Sequence, residues 1–515
     1  MTSFTKTLPQ NEASIYTSPD HAIADINPLM YGGFTEHMGR CIYGGIYDPT
    51  NTNNLIDEHG FRTDVIDCMK ELQVPVVRYP GGNFVATYQW QDGVGPREKR
   101  PKRPELAWLG TESNQFGTDE FMLWCEKVGA EPYLALNMGT GTLADALAWL
   151  EYCNSEQDTY YANMRRANGH EKPYKVKYWA LGNEIWGPWQ VEQDTKEHYA
   201  KKAHQWGKAL KLLDPSITLI LCGKNGHSDW DRYVLQESMQ WIDMHSIHMY
   251  TYGKEHCENV TSPKAAERAI EMTSAMIDLA RCDFDYEGFM SGHIDTSAKK
   301  LTRPTICFDE WNVWDPSRAP GDKGAEQLYD LSDALAVAVW LNVFVRQAKH
   351  IGMATIAQSV NVISPLMTTE RGVVKQTTYW PLLLFSKYMR GKSLATHVCS
   401  AAYEGNTFPS WLASTMDLPL LDVSAALSDD GWVNLAVVNI SETEAMSTTL
   451  PEVTGPVQTF VIGGKGSHIR DSNQEGAESV TIRESCWDGR GKFTFEEHSF
   501  TLLRWKLKAC RVRLI

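Results

Sequence analysis

The stretch Tyr178–Gly187, YWALGNEIWG, runs apolar and aromatic to Leu181, then presents Gly182, Asn183 and Glu184 before turning apolar again at Ile185 and Trp186. The run Lys177–Asn183 reads as a buried strand, and an unpaired carboxylate at its end would be costly. Glu184 therefore has either a structural partner or a chemical use. Seven more short apolar runs accompany it: Leu29–His37, Val74–Tyr79, Pro132–Asn137, Ile217–Gly223, Met244–Tyr250, Pro304–Glu310 and Ala354–Val360. Helix-like stretches lie between them. Phe61–Leu72 sets Phe61, Val65, Cys68, Met69 and Leu72 on one face. Gly117–Gly129 opens on a cap-like Thr118 and stops at a glycine. Thr142–Cys153, Thr195–Leu213, Ser262–Ala280 and Gly324–His350 behave similarly. Eight strands alternating with helices predict an α/β fold, a (β/α)8 TIM barrel over residues 25–391, in preference to a doubly wound sheet. No GxGxxG follows a strand, which counts against a dinucleotide site.

After about residue 392 the texture changes to alternating apolar and polar residues, with Asp429-Asp430-Gly431 punctuating like a hairpin turn. This pattern predicts a C-terminal antiparallel β-sandwich domain over 392–515, and residues 1–24 are expected to add a strand to it.

Composition narrows the function. The 515 residues are 43% hydrophobic and 22% charged, enough to bury a large core. Net charge is −15, and the densest basic cluster, Pro96–Pro104, is broken by prolines and contains Glu98. It reads as a solvated loop, so no nucleic-acid partner is expected. Without an apolar run of about 18 residues, no membrane span is expected either. Eleven scattered cysteines, an odd number without CxxC spacing, argue against a disulfide framework and against a zinc site. The first twenty residues lack an apolar core of the signal-peptide kind, and a cytoplasmic location is expected.

In barrels of this kind, chemistry sits at the C-terminal strand ends. Those ends carry Glu36 and His37, Arg78 with Asn83, Asn137, Asn183 and Glu184, His248 and Tyr250, Asp309 and Glu310, and Gln358 with Asn361. A single strand-end glutamate is more often an ion-pair partner than a catalyst. Here two strands end on Glu followed directly by apolar or aromatic residues, Asn183-Glu184-Ile185-Trp186 and Asp309-Glu310-Trp311-Asn312. A carboxylate pair converging over a barrel mouth suits the acid and nucleophile of glycoside hydrolysis. His248 alone reads as a hydrogen-bonded core histidine, and His245 falls on the opposite strand face, so a shared metal is not expected. Asp309 is expected to point away from Glu310 and to be structural. Arg78, beside Tyr79-Pro80-Gly81-Gly82, either braces the barrel or touches substrate.

The motifs FTEHMGRCIYGGIYDP, LQVPVVRYPGGNF, WQDGVGPREKRP, LAWLGTESNQFG, WALGNEIWGPWQ, FDEWNVW and AQSVNVISP, in this order, resemble the α-L-arabinofuranosidases of glycoside hydrolase family 51. The resemblance covers nearly the whole barrel and, more loosely, the C-terminal domain. It implies that Glu184 is the acid/base and Glu310 the nucleophile of a retaining exo-hydrolase. Such an enzyme releases terminal α-L-arabinofuranosyl residues from arabinoxylan- and arabinan-derived oligosaccharides. Glu36, Asn83, Asn183 and Gln358 would surround the sugar with hydrogen bonds. His248 and Tyr250 would orient or tune the carboxylates, and Trp108 and Trp314 would wall the site. No metal or organic cofactor is implied. A homo-oligomer is, often a hexamer in the family. The segment 252–303, where loops governing the leaving group would lie, carries none of these motifs. The competing readings are β-xylosidase or endo-β-1,4-glucanase activity on the same barrel, and a non-catalytic sugar-binding protein, which would not need both carboxylates.

Overall fold

The computed structural model describes residues 2–7, 11–290, 302–453 and 455–507. Eight parallel strands close into a barrel: β1 (Gly32–Phe34), β2 (Val76–Tyr79), β3 (Glu131–Ala135), β4 (Tyr178–Leu181), β5 (Thr218–Leu221), β6 (Met244–Thr251), β7 (Thr305–Val313) and β8 (Ile351–Ile356). Neighbours pair in chain order, and β8 returns to β1 through Thr355 with Gly32 and Ile356 with Gly33. A helix follows each strand in turn: Thr63–Glu71, Thr118–Val128, Leu143–Asn154, Lys196–Leu213, Asp229–Ser238, Lys264–Met290, Leu331–Arg346 and Tyr379–Tyr388.

Strand alternation decides which side chains fill the interior. Tyr178 and Ala180 of β4 join Val76, Tyr133, Ile220, Met244, Cys307 and Met353 inside the barrel. Trp179 and Leu181 point outward into the helix layer, where Trp179 meets Trp149 edge to face at 5.8 Å. Several βα loops end on reciprocal caps that fix where the helix starts. Thr142 with Asp145, Ser228 with Asp231 and Asp330 with Asp333 each exchange side-chain and backbone bonds. The cap at Asp330 explains why the helical stretch expected from Gly324 begins only at Leu331. The run Leu29–His37 is likewise shorter as a strand, because Pro28–Tyr31 forms a 3-10 turn before β1.

The helix Leu331–Arg346 is apolar on every side, and all its residues are buried. One side packs Trp340 and Phe344 on Phe308 of β7. The other meets the strand Leu421–Leu427 of the C-terminal domain, where Asn342 donates to Asp422 at 2.8 Å and accepts from Ser424 at 2.6 Å. Arg346 bridges Glu267 and Asp422 at 2.8 and 2.9 Å, so the seam between the two layers is a paired polar network.

In the C-terminal domain ten strands share hydrogen bonds in one sheet. Val457, one strand in from one edge of that sheet, and Phe495, on the strand at the other edge, belong to one apolar cluster with Leu394, Leu435 and Trp505. The sheet therefore folds over on itself around a sandwich-like core. The strand Glu12–Asp25 pairs antiparallel with Lys392–Ser400, while Ser3–Lys6 runs parallel to the same strand. Among the described residues, no helix is long and apolar enough to cross a membrane. Parts of three expected regions, residues 1 and 8–10 in the N-terminal segment, 291–301 in the motif-poor segment, and 454 and 508–515 in the C-terminal domain, lie outside the described residues.

Candidate active site

A cavity of about 520 Å³ opens at the C-terminal strand ends. It is lined by Glu36, Asn83, Trp108, Glu184, His248, Tyr250, Glu310, Trp314 and Gln358, nine of the ten positions expected from sequence. Asn183, the tenth, is 1% exposed, with Nδ2 3.5 Å from where a Cβ on the cavity-lining Gly82 would stand. Its Oδ1 accepts from Arg78, and its Nδ2 stands 3.5 Å from Oδ1 of Asn83.

Two backbone irregularities aim the glutamates. At the end of β4, Gly182 and Glu184 have φ of 83° and 44°, left-handed values that turn the chain sharply after Leu181. On β7, alternation from the inward Cys307 would bring Asp309 inward and send Glu310 out. The pairing with β8 instead shifts register between Phe308 and Trp311, and that with β6 shifts between Ser246 and His248. This irregularity brings both acids inward. The expectation that Asp309 faces away from Glu310 is thus corrected. Asp309 sits at the barrel centre, accepting from Tyr133 at 2.7 Å and from Ser246, and lying 3.2 Å from Nε2 of His248.

Arg78 of β2 settles its two readings by bracing. Its guanidinium reaches Oε1 of Glu310 at 2.7 Å, Oδ2 of Asp309 at 3.5 Å and Oδ1 of Asn183 at once, and stacks 4.6 Å above the Phe34 ring. It does not line the cavity. The glycine pair before Asn83 now has a reason. A Cβ on Gly82 would lie 2.9 Å from Oε1 of Glu310, and one on Gly81 2.8 Å from Cγ of Glu36, so the chain passes where only hydrogen fits.

Glu310 also accepts from Tyr250 Oη at 2.9 Å. Glu184 accepts from Trp189 Nε1 at 2.9 Å and lies 3.0 Å from Nδ1 of His248. Burial opposes protonation of His248, but the charges of Glu310 and Asp309 and its bonds to Asp309 and Glu184 overcome this and raise it to about 10. Asp309 is held well below the usual carboxylate range, because Arg78 and His248 outweigh its burial.

Glu36 behaves oppositely. Burial and the nearby Glu310 push it up to about 7, despite donors at Phe84 N, Trp108 Nε1 and Gln358 Nε2 at 3.1, 3.1 and 3.0 Å. Trp108 is held in place by Glu105, whose carboxylate accepts from the amides of Ala107 and Trp108. Trp314 packs its ring on the Tyr250 edge at 5.2 Å and donates to Ala319 O. Gln358 Oε1 is buried with no partner among the described residues, an acceptor free for a hydroxyl.

The cavity also contains residues that sequence reasoning did not select, notably Met38, Trp186, Trp189, Lys224 and Asn225. The signal for Trp186 and Trp189 was present in IWGPW, directly after Glu184. Lys224 follows β5, a strand whose end showed no polar pattern beyond the glycine. Glu184, His248 and Glu310 each bring one ligand atom within 4.8 Å of the others, a spacing a divalent ion could bridge. Both ring nitrogens of His248 are already engaged by protein carboxylates, Nδ1 by Glu184 at 3.0 Å and Nε2 by Asp309 at 3.2 Å, so the three residues form one hydrogen-bonded network.

The family model described as alpha-L-arabinofuranosidase 1 domain matches residues 68–268, and the one described as alpha-L-arabinofuranosidase C-terminal domain matches 309–499. Alpha-L-arabinofuranosidase C of Emericella nidulans is 60% identical over 98% of this chain and 100% of its own length. The intracellular exo-alpha-(1->5)-L-arabinofuranosidase of Halalkalibacterium halodurans is 38% identical over 84% of this chain and 86% of its own. Among solved structures, the thermostable GH51 alpha-L-arabinofuranosidase of Thermotoga petrophila superposes with a TM-score of 0.85 at 35% identity, covering 96% of this chain and 100% of that one. A closed barrel whose mouth holds two glutamates, matched along its length by such relatives, makes this chain a member of the glycoside hydrolase family 51 α-L-arabinofuranosidases.

Proposed function

We propose that the enzyme is a retaining exo-hydrolase that removes terminal α-L-arabinofuranosyl residues from arabinoxylan- and arabinan-derived oligosaccharides. The observation that carries the mechanism is the spacing of the glutamates. An oxygen of Glu184 and one of Glu310 lie within 4.8 Å of each other. Retaining glycosidases hold their carboxyl groups about 5–5.5 Å apart, whereas inverting ones leave about 6.5–9.5 Å for a water. In the first step a Glu310 oxygen bonds to the anomeric carbon while Glu184 gives its proton to the departing glycosidic oxygen. In the second, Glu184 takes a proton from water, the hydroxyl bonds to the same carbon, and Glu310 leaves as carboxylate. Arg78 and Tyr250 aim Glu310 and stabilise its charge, and protonated His248 lies between the two glutamates.

Glu36, Asn83 and Gln358 offer hydrogen bonds to one furanose, with Trp108 and Trp314 as walls. The exo name of the Halalkalibacterium relative supports the exo reading over an endo-acting one. That relative is also named intracellular, which supports a cytoplasmic assignment, and the ten cysteines among the described residues are free thiols.

The test is a comparison of two variants. Glu310→Ala is expected to lose turnover on every substrate and to regain part of it with external azide. Glu184→Ala is expected to keep its first step on an aryl arabinofuranoside with a good leaving group and to accumulate the covalent intermediate. Equal loss in both, without rescue or trapped intermediate, overturns the roles.

A further inference from the structure

The cavity is chemically divided. One end gathers Glu36, Asn83 and Gln358, while Glu184 leads the other way along a chain of contacts. Trp189 donates its indole N–H to Glu184 and meets Trp186 edge to face at 5.2 Å. Trp186 donates to Gly223 O at 2.9 Å, and the Lys224 ammonium sits 4.7 Å over the Trp186 ring. Lys224 lines the cavity, and its ammonium makes no ion pair among the described residues.

Its backbone is fixed on both sides. The Lys224 amide donates to Asp231 at 2.7 Å, and its carbonyl accepts from His248 N at 2.9 Å. Asp231 is itself buried against His245 at 2.9 Å and against Ser228. The cation is therefore carried by a backbone fixed three residues beyond β5, with an aromatic face beneath it. In a chain of net charge −15, a lysine without a carboxylate partner at the cavity wall has an unmet electrostatic preference.

We propose that Lys224 selects leaving groups that bear a carboxylate, so that the enzyme prefers arabinofuranosyl units attached to uronic-acid-containing oligosaccharides. This rests on Glu184 as the proton donor, because the departing oxygen must touch Glu184 and the rest of the leaving group then extends along Trp189 and Trp186 toward Lys224. The opposite end would repel an anion through Glu310, which fixes the direction of binding. A uronate is the anion that a polysaccharide chain itself supplies, and its ring can lie on the exposed Trp189, 54% accessible, with its carboxylate toward the ammonium.

The test isolates charge. Rates are measured on the 3- and 4-carboxyphenyl α-L-arabinofuranosides and on their carboxamide counterparts, which differ little in shape. For the wild-type enzyme, kcat/KM is expected to favour a carboxylate about threefold to tenfold at low salt, with the preference shrinking as salt rises. Lys224→Met should bring that ratio to about one, and Lys224→Arg should keep it. The same comparison between arabinofuranosyl-glucuronic acid and arabinofuranosyl-glucose carries the result to sugars. A wild-type ratio of one or less, or an unchanged ratio in Lys224→Met, overturns the proposal. So does a Lys224→Met effect confined to the pH profile of the carboxamides, which would mean that Lys224 acts through Glu184. If the ratio responds to Lys224 but Glu184→Ala is equally poor on activated and unactivated substrates, the proton-donor assignment fails and the charge preference stands.

Discussion

Tyr250→Phe separates the two chemical steps. The substitution keeps the ring that packs on Trp314 at 5.2 Å and removes only the hydroxyl, 2.9 Å from Oε2 of Glu310. A hydrogen bond to a charged group contributes about 1.5–3 kcal/mol. Arg78 at 2.7 Å remains, and His248 at 3.6 Å can compensate in part, so the lower portion of that range applies. In the first step Glu310 loses charge as it bonds to carbon, and a missing donor makes it a slightly better nucleophile. In the second step Glu310 departs as carboxylate, and the missing donor makes it a worse leaving group. Hydrolysis of the intermediate should slow by about tenfold to fortyfold. An aryl arabinofuranoside with a good leaving group is the assay. The variant should show a pre-steady-state burst, kcat and KM falling together, nearly constant kcat/KM, and a covalent adduct by intact mass. A fall in kcat/KM equal to that in kcat, without burst or adduct, would refute the reasoning, because the hydroxyl would then serve the first step.

Two further outcomes follow from the same network. Glu36 is raised from 4.5 to about 7, so the native protein keeps a proton that the unfolded chain has lost across that window. Stability from this group is present below about pH 4.5 and lost as pH rises through about 7, a cost on the order of 3 kcal/mol. Glu36→Gln, with the Gln358 amide turned so that its unpaired oxygen accepts, should gain in Tm relative to wild type at about pH 8 compared with about pH 5 while losing activity; a Tm difference that does not change with pH contradicts the assignment. Asn183→Ala should lower kcat by about 10²–10⁴, because its long 3.5 Å contact to Asn83 leaves Nδ2 free to tighten on a sugar 2-hydroxyl in the transition state. Tm should also drop as Arg78 loses an acceptor. Measuring kcat, KM and Tm on one preparation decides, and an unchanged kcat in the folded fraction refutes the catalytic part.

The barrel was legible because short apolar runs, buried on both faces like Tyr178–Leu181, alternate cleanly with amphipathic helical stretches. Nine of the ten chosen positions meet in one cavity, seven because strand ends of a barrel converge, and Trp108 and Trp314 as the family resemblance implied. Asp309 was misread because alternation is a rule for regular strands, and β7 breaks register just there. Lys224 was invisible for another reason. Its role depends on the Trp186 ring beneath it, a contact between residues 38 positions apart that no local pattern carries. Arg78 was visible, but sequence could not decide between its two uses, because that choice depends on how deep the guanidinium lies.

That depth ties the two glutamates together. Each follows a neighbour that binds the same guanidinium, Asn183 before Glu184 and Asp309 before Glu310. The polar dipeptides at the ends of β4 and β7 therefore divide their work. The first member anchors on Arg78, and the second projects into the cavity. One buried arginine from β2 thus sets the separation of two carboxylates that come from different strands, and Glu310 is held by it directly as well. Lysine at this position could not replace it. A single ammonium has no planar fork with which to face Asn183, Asp309 and Glu310 together, so at least one anchor would be released and the spacing on which double displacement depends would relax. The register break on β7 belongs to the same arrangement. Without it, Asp309 would reach Arg78 while Glu310 turned into the helix layer, leaving an anchor with no reacting group attached to it.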